Sequence, residues 1–241
     1  MVSKSKSLII IIPIHNEEKI IETTVIRVVN ELNKISVPVS LLLIDDGSTD
    51  KSAEIVLNLR KRFSKKIEYV KHPKNKGYGQ AIQTGIEYGL KRKIDYALFM
   101  DSDLTNNPQD IRKFVKVIDN GFDCVKASRY IKGGKVSKVP QKKVILSRIG
   151  NLFASIIFNI NVKDCTNGFL MLKLERFKKI TLKEKGFAVI MEELYYLKKQ
   201  KARFKEIPVT LTSRGEGKSH FRYSFKTFYS YLKYPIKSSW L

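Results

Sequence analysis

Between residues 8 and 103 one pattern repeats: an apolar run, a polar or glycine-bearing break, then a helix-period stretch. The runs are Leu8 to Ile12, Val39 to Ile44, Ile67 to Val70 and Ile94 to Met100. Leu8 to Ile12 is apolar throughout, and the others hold one polar residue each, Ser40, Glu68 and Asp95; an unbroken run marks a strand covered on both faces. Strands that alternate with helices pair in parallel, because each helix carries the chain back to the same edge of the sheet. The expectation is an α/β fold, a mostly parallel central sheet with helices on both faces. Such sheets bind ligands beyond the carboxyl ends of their strands.

Those ends carry chemistry. Pro13 closes the first run, and Asn16 is predicted to cap the next helix, with Glu17 and Glu18 in its first turn, where the helix dipole favours acids. Asp45-Asp46-Gly47-Ser48-Thr49-Asp50 follows the second run, and the basic loop Lys71 to Gly79 follows the third. Asp101-Ser102-Asp103 follows the fourth. Side chains alternate along an extended chain, so Asp101 and Asp103 point the same way. Two such carboxylates suit a hard cation, Mg²⁺ or Mn²⁺. Asp-x-Asp is also a common polar turn, but convergence of these strand ends on one rim favours the metal.

The second half is less regular. A helix from Pro108 to about Asp119 and a strand from Phe122 to Ser128 are expected, then a basic loop with Gly133-Gly134. Residues 142 to 160 read as a long helix, on which Ile149, Leu152, Phe153, Ile156, Ile157 and Ile160 form one apolar face. That face suits a core, a dimer or a lipid. A helix bearing Glu192 and Glu193 follows, then a strand from Phe204 to Leu211 whose Pro208 argues for a sheet edge. Ser213 to His220 reads as a mobile flap. Phe221 to Leu241 is aromatic and basic, the composition of an interfacial amphipathic segment, with Pro235 predicted to kink or end its helix.

Lys plus Arg number 46 against 23 Asp plus Glu, a net charge of +23. Such a chain seeks anions: nucleic acid, lipid headgroups or phosphorylated substrates. The carboxylate-rich rim repels a nucleic-acid backbone, so no nucleic-acid partner is expected. Cys124 and Cys165 are far apart in sequence, with no zinc or disulfide pattern and a reducing compartment as the simplest fit. No run approaches the roughly 18 apolar residues of a spanning helix. A membrane would be met at its surface, with room for an anchoring segment or partner after Leu241.

A sugar nucleotide fits this rim. Asp101 and Asp103 would hold the cation against its diphosphate, Asp45 or Asp46 would meet the nucleoside, and Arg129, Arg214 and Lys218 are candidate phosphate contacts. Several motifs make the reading specific. They are Ile12-Pro13-Ile14-His15-Asn16-Glu17-Glu18, Ile44 to Asp50, Asn75 to Ala81, Asp101-Ser102-Asp103, Ala127-Ser128-Arg129-Tyr130, Asn167-Gly168-Phe169 and Glu206-Ile207-Pro208 with Arg214 and Gly217. In this order, over about residues 8 to 222, the chain resembles a family 2 glycosyltransferase of the GT-A (Rossmann-like) fold. Within that family it is most similar to the dolichyl-phosphate mannose synthase-like, polyprenyl-phosphate glycosyltransferase group.

The resemblance implies a nucleotide-binding half over about 1–105, an acceptor half over about 106–213, and a loop with a membrane-associated segment over 214–241. It places Pro13, His15, Glu17, Ile44 and Asp46 at nucleoside positions, Asp101, Ser102 and Asp103 at donor and metal positions, and Arg129 and Arg214 at phosphates. Lys218 and His220 complete the donor set, with Asp101, Asp103 and Arg129 expected to carry catalysis. It further implies inverting transfer from a GDP- or UDP-sugar to a polyprenyl or dolichyl phosphate, peripherally, at an anionic cytoplasmic membrane face. His15 stands where tyrosine is frequent, Thr105 where the mannose synthases carry a glutamine, and His220 where their flap carries a lysine. These departures weaken mannose and guanosine as assignments but leave the reaction class. The alternatives are a glycosyltransferase using a glycan or small-molecule hydroxyl, a basic nucleic-acid-binding protein and an inactive scaffold.

Overall fold

The computed structural model describes residues 5–214 and 225–238. Strands β1 (Leu8–Ile14), β2 (Val39–Asp45), β3 (Ile67–Lys71) and β4 (Tyr96–Phe99) alternate with helices α1 (Ile21–Leu32), α2 (Ser52–Arg62) and α3 (Tyr78–Lys91). The second half follows as α4 (Ile111–Val115), β5 (Cys124–Ser128), β6 (Lys135–Val136) and α5 (Gln141–Phe158), then β7 (Leu170–Lys173), α6 (Val189–Lys199), β8 (Phe204–Pro208), β9 (Thr210–Leu211) and α7 (Phe225–Ser238). Seven strands form one sheet in the order β3-β2-β1-β4-β7-β5-β8, while β6 and β9 pair apart from it.

Strand β1 explains the architecture. Every residue from Leu8 to Ile14 is buried. Leu8, Ile10, Ile12 and Ile14 join the core on the side of α1, α2 and α4, whereas Ile9 and Ile11 join the opposite core under α3 and α6. Both faces of the strand are therefore dry, which an unbroken Leu-Ile run allows and an alternating one does not. The parallel register places Ile14 beside Asp45 and Ile11 beside Phe99. The exits of β1, β2 and β4 thus lie along one rim.

Strand β7 breaks the parallel rule, running antiparallel to both β4 and β5. Its entrance, rather than its exit, reaches the rim. Pro208 ends β8, the edge strand, where a missing N–H costs no ladder bond.

Three local expectations change. Asn16 does not cap α1. It sits at φ 55°, and its Oδ1 accepts from the backbone N–H of Thr49 at 2.8 Å, tying the first strand exit to the second. The stretch expected as one helix from Pro108 is a short α4 between 3₁₀ turns at Pro108–Asp110 and Ile118–Asn120. Helix α7 continues through Pro235. Proline removes one helical bond, but side-chain bonds hold the turn: Tyr234 donates to Glu184 at 3.1 Å, and Lys198 Nζ donates to the Ser238 carbonyl at 2.9 Å.

Candidate functional site

The loop after β2 is built by two buried carboxylates. Asp45 accepts from the Ser48 N–H at 2.8 Å and from the Tyr69 hydroxyl at 2.9 Å. Asp46 accepts from the N–H groups of Lys76 at 2.9 Å and Gly77 at 2.8 Å, and lies 2.7 Å from His72 Nδ1. Hydrogen bonds to a charged partner contribute about 1.5–3 kcal/mol each. Asp46 thereby fixes the approach of residues 75–77 to the rim.

Gly77 carries that loop into α3 at φ 98°, a conformation that favours glycine. Gly79 is tighter still: a Cβ there would stand 1.9 Å from the Glu184 carbonyl oxygen. The close approach lets the Gly79 N–H donate to the Lys185 carbonyl at 2.8 Å. Next to it the Tyr78 hydroxyl donates to Asp101 Oδ1 at 3.2 Å, and its ring packs 4.7 Å from that of Phe187. Burial, with Asp101 beside it, holds the Tyr78 hydroxyl well above its ordinary range, so it remains a donor.

Asp101 is the most perturbed acid of the rim. Burial, with Asp103 and Glu17 nearby, pushes its carboxyl up to about 7, against the lowering effect of Tyr78 and Arg214. Burial and the neighbouring carboxylates thus disfavour its charged form. Asp103 Oδ1 accepts from both the N–H and the hydroxyl of Thr105, at 3.0 and 2.8 Å. Thr105 therefore orients a carboxylate. Arg214 pairs with Glu17 and lies 3.8 Å from Asp103, so a guanidinium rests where positive charge is needed. Two carboxylates with oxygen donors fit Mg²⁺ or Mn²⁺ whose remaining ligands come from phosphate and water. Among the described residues no group of three or more His, Cys, Asp or Glu could hold a metal ion alone.

A cavity of about 1140 Å³ opens over these groups. It brings together Pro13, His15, Glu17, Asp46, Asp101, Ser102, Asp103, Arg129 and Arg214. Ile44 does not reach it, because alternation along β2 turns its side chain into the core under α3. Lys218 and His220 lie outside the described residues. Arg129 lines the wall but is strongly engaged: its backbone N–H, Nε and one terminal nitrogen all donate to Asp164, at 2.9, 2.7 and 2.6 Å. Sequence reasoning missed Tyr78 as an Asp101 partner, and it missed Lys185 and Phe187, which also line the cavity. The one signal for the latter was Gly186, ahead of a helix.

Part of the cavity wall is apolar, with Phe153 and Ile157 of α5, Ile190 of α6, and Leu232 of α7. Beside it α5 turns its apolar face outward. Ile145, Leu146, Ile149, Leu152, Phe153 and Ile156 are 47–65% exposed, whereas Asn151, Ala154 and Phe158 are buried. Tyr229 and Ile236 of α7 are exposed as well. The stripe Ile149, Leu152, Phe153 and Ile156 is therefore not a core face; Ala154 and Phe158 supply that. No helix among the described residues is long and apolar enough to cross a membrane.

Comparison with known proteins matches this geometry. The profile described as "Glycosyl transferase family 2" matches residues 9–181. A dolichol-phosphate mannosyltransferase from Pyrococcus furiosus is 30% identical over 229 residues, covering 93% of this chain; the chain spans 61% of that protein's length. A polyprenol monophosphomannose synthase from Mycolicibacterium smegmatis is 25% identical over 90% of this chain and 82% of its own. Among solved structures, a glucosyl-3-phosphoglycerate synthase from Mycobacterium tuberculosis with Mn²⁺, uridine diphosphate and phosphoglyceric acid superposes with a TM-score of 0.66. It is 18% identical and covers 97% of this chain and 77% of that one. That likeness speaks for the GT-A fold. With its strand-end carboxylates, its mixed sheet and a profile match over most of its length, the chain belongs to glycosyltransferase family 2.

Proposed function

We propose that this enzyme transfers a sugar, with inversion, from a nucleoside-diphosphate sugar to a polyprenyl phosphate at a membrane surface. The observation that carries the reading is the mixed lining of the cavity. Asp101, Asp103, Glu17 and Arg214 share its wall with apolar side chains of α5, α6 and α7. A sugar nucleotide matches the charged groups and an isoprenoid the apolar ones. The mannosyltransferase relatives support a polyprenyl acceptor by their names.

Asp101 and Asp103 would hold a divalent cation, which would offset charge gathering on the departing diphosphate. Thr105 and Tyr78 fix the two carboxylates, and Asp46 shapes the loop beside the nucleoside. An acceptor phosphate oxygen bonds to the anomeric carbon as the bond from that carbon to the β-phosphate oxygen breaks. The nucleoside diphosphate leaves with the electron pair. The attacking oxygen is already ionised near neutral pH, so the step requires no general base. The acids of α6 agree with this. Glu192 accepts from the N–H groups of Lys183 and Glu184, Glu193 is buried, and neither lines the cavity.

The exposed apolar face of α5, the aromatic α7 and the net charge of +23 support peripheral attachment to anionic lipid. We assign the cytoplasmic face on the same resemblance. The test is a screen of GDP-mannose and UDP-sugars with Mn²⁺ and a short polyprenyl phosphate, read by product mass. A lipid-linked sugar phosphate is expected. Transfer only to a sugar or phosphoglycerate hydroxyl overturns the acceptor, and silence with every pair overturns the enzyme.

A further inference from the structure

We infer that Lys185 binds phosphate oxygens in the cavity. This rests on the reaction proposed above and adds a residue to it. Residues 182–187 are a built platform. The Leu182 N–H donates to Gln83 at 2.9 Å, and the Lys183 and Glu184 N–H groups donate to Glu192 at 2.9 and 2.8 Å. The Lys185 carbonyl takes the Gly79 N–H, while the Glu184 carboxylate takes Lys233 Nζ at 2.7 Å and the Tyr234 hydroxyl at 3.1 Å. Phe187 packs on Tyr78, whose hydroxyl holds Asp101. The stretch thus touches α3, α6 and α7 at once, and its backbone has little freedom left.

What this platform adds to the cavity wall is Lys185, whose backbone packs against Gly77 and Gly79. Among the described cavity residues, Arg129 is engaged by Asp164 and Arg214 by Glu17, whereas Lys185 has no carboxylate within ion-pair distance. Lys185 and its neighbour Lys183 are both exposed, but only Lys185 lines the cavity. With 46 basic residues in the chain, a lysine carries meaning only by placement. A held loop that carries a lysine without an ion-pair partner in the wall of the cavity it shares with Asp101 and Tyr78 suits a ligand bearing phosphate. That phosphate belongs either to the donor diphosphate or to the acceptor.

The experiment compares Lys185→Ala with Lys183→Ala, which remove equal charge from one loop, and adds Lys185→Arg. Binding of GDP and UDP with Mn²⁺ reads the donor arm by calorimetry. Binding and KM of a short polyprenyl phosphate read the acceptor arm. We expect Lys185→Ala to weaken one arm about 10- to 100-fold, as for loss of a charged hydrogen bond. Lys183→Ala should stay within about twofold of the native protein, and Lys185→Arg should recover most of the loss. Weakening of the nucleotide arm assigns the donor diphosphate, and weakening of the polyprenyl-phosphate arm assigns the acceptor. Equal behaviour of Lys185→Ala and Lys183→Ala in both arms overturns the inference. If the native protein transfers nothing, the proposed reaction falls, and the two binding arms still decide Lys185.

Discussion

The two parts of the cavity wall are built on opposite principles. Around the carboxylates nearly every polar group is held by another: Asp46 by two backbone N–H groups, Asp103 by Thr105, Asp101 by Tyr78. Beside the apolar part of the wall, α5 holds apolar side chains out to solvent, with Ile156 65% exposed. The first part is preorganised, as a site must be to stabilise charge at a fixed point. The second is incomplete by itself, since an exposed aliphatic face is satisfied only when something apolar covers it. On the proposed reading, the held carboxylates would do the chemistry and the exposed face would locate the acceptor.

Substitutions can break this contrast. The largest effect is expected at the carboxylates: Asp101→Asn or Asp103→Asn should lower transfer by about 10²–10³ with every acceptor, measured as kcat/KM from product mass. Activity retained in either variant would remove the carboxylates from the centre. Next comes the exposed apolar face. Ile149→Glu with Phe153→Glu should reduce co-sedimentation with anionic vesicles about tenfold or more. Binding of GDP or UDP with Mn²⁺ should stay unchanged, whereas loss of both together would mean that the two parts are not separable. Third is Gly79→Ala. Its Cβ would overlap the Glu184 carbonyl, costing about 1–3 kcal/mol in urea denaturation and loosening Tyr78 against Asp101.

The smallest effect is a pH dependence behind the site. Burial pushes the Glu193 carboxyl from 4.5 up to about 8, with Lys126 opposing the shift and Glu192 adding to it. Over that window the folded protein keeps a proton that the unfolded chain gives up, so this contribution to stability falls as pH rises from 4.5 to about 8. Glu193→Gln should flatten that slope, measured as the urea midpoint at pH 5 and pH 8. A slope identical to the native one would show that Glu193 does not contribute.

Legibility in the sequence followed the same divide. The donor half was readable because strands covered on both faces demand unbroken apolar runs, and Leu8 to Ile12 has no other comfortable fold. The strand-end motifs then brought Pro13, Glu17, Asp46 and Asp101 to one rim. What stayed hidden depends on contacts distant in sequence. Nothing near Asn16 announces that it reaches Thr49 instead of capping α1. Gly79 looks like a loop glycine until Glu184 arrives beside it. The apolar stripe of α5 has one periodicity whether it faces a core or solvent, so sequence alone left it open. Tyr78 and Lys185 were obscure because neither belongs to a charged pair or a metal-ligand spacing.

The reversed strand β7 has one more consequence. Strand β5 leaves the sheet at the rim, and β7 re-enters it at the rim, so residues 130–163, including all of α5, form a detour that starts and finishes beside the reacting groups. The Arg129–Asp164 pair is the clasp at its neck. A segment with both feet on one ledge can be exchanged without disturbing a single strand of the sheet. On the proposed reading, the stretch that would meet the acceptor is thus separate from the strands that carry the donor carboxylates.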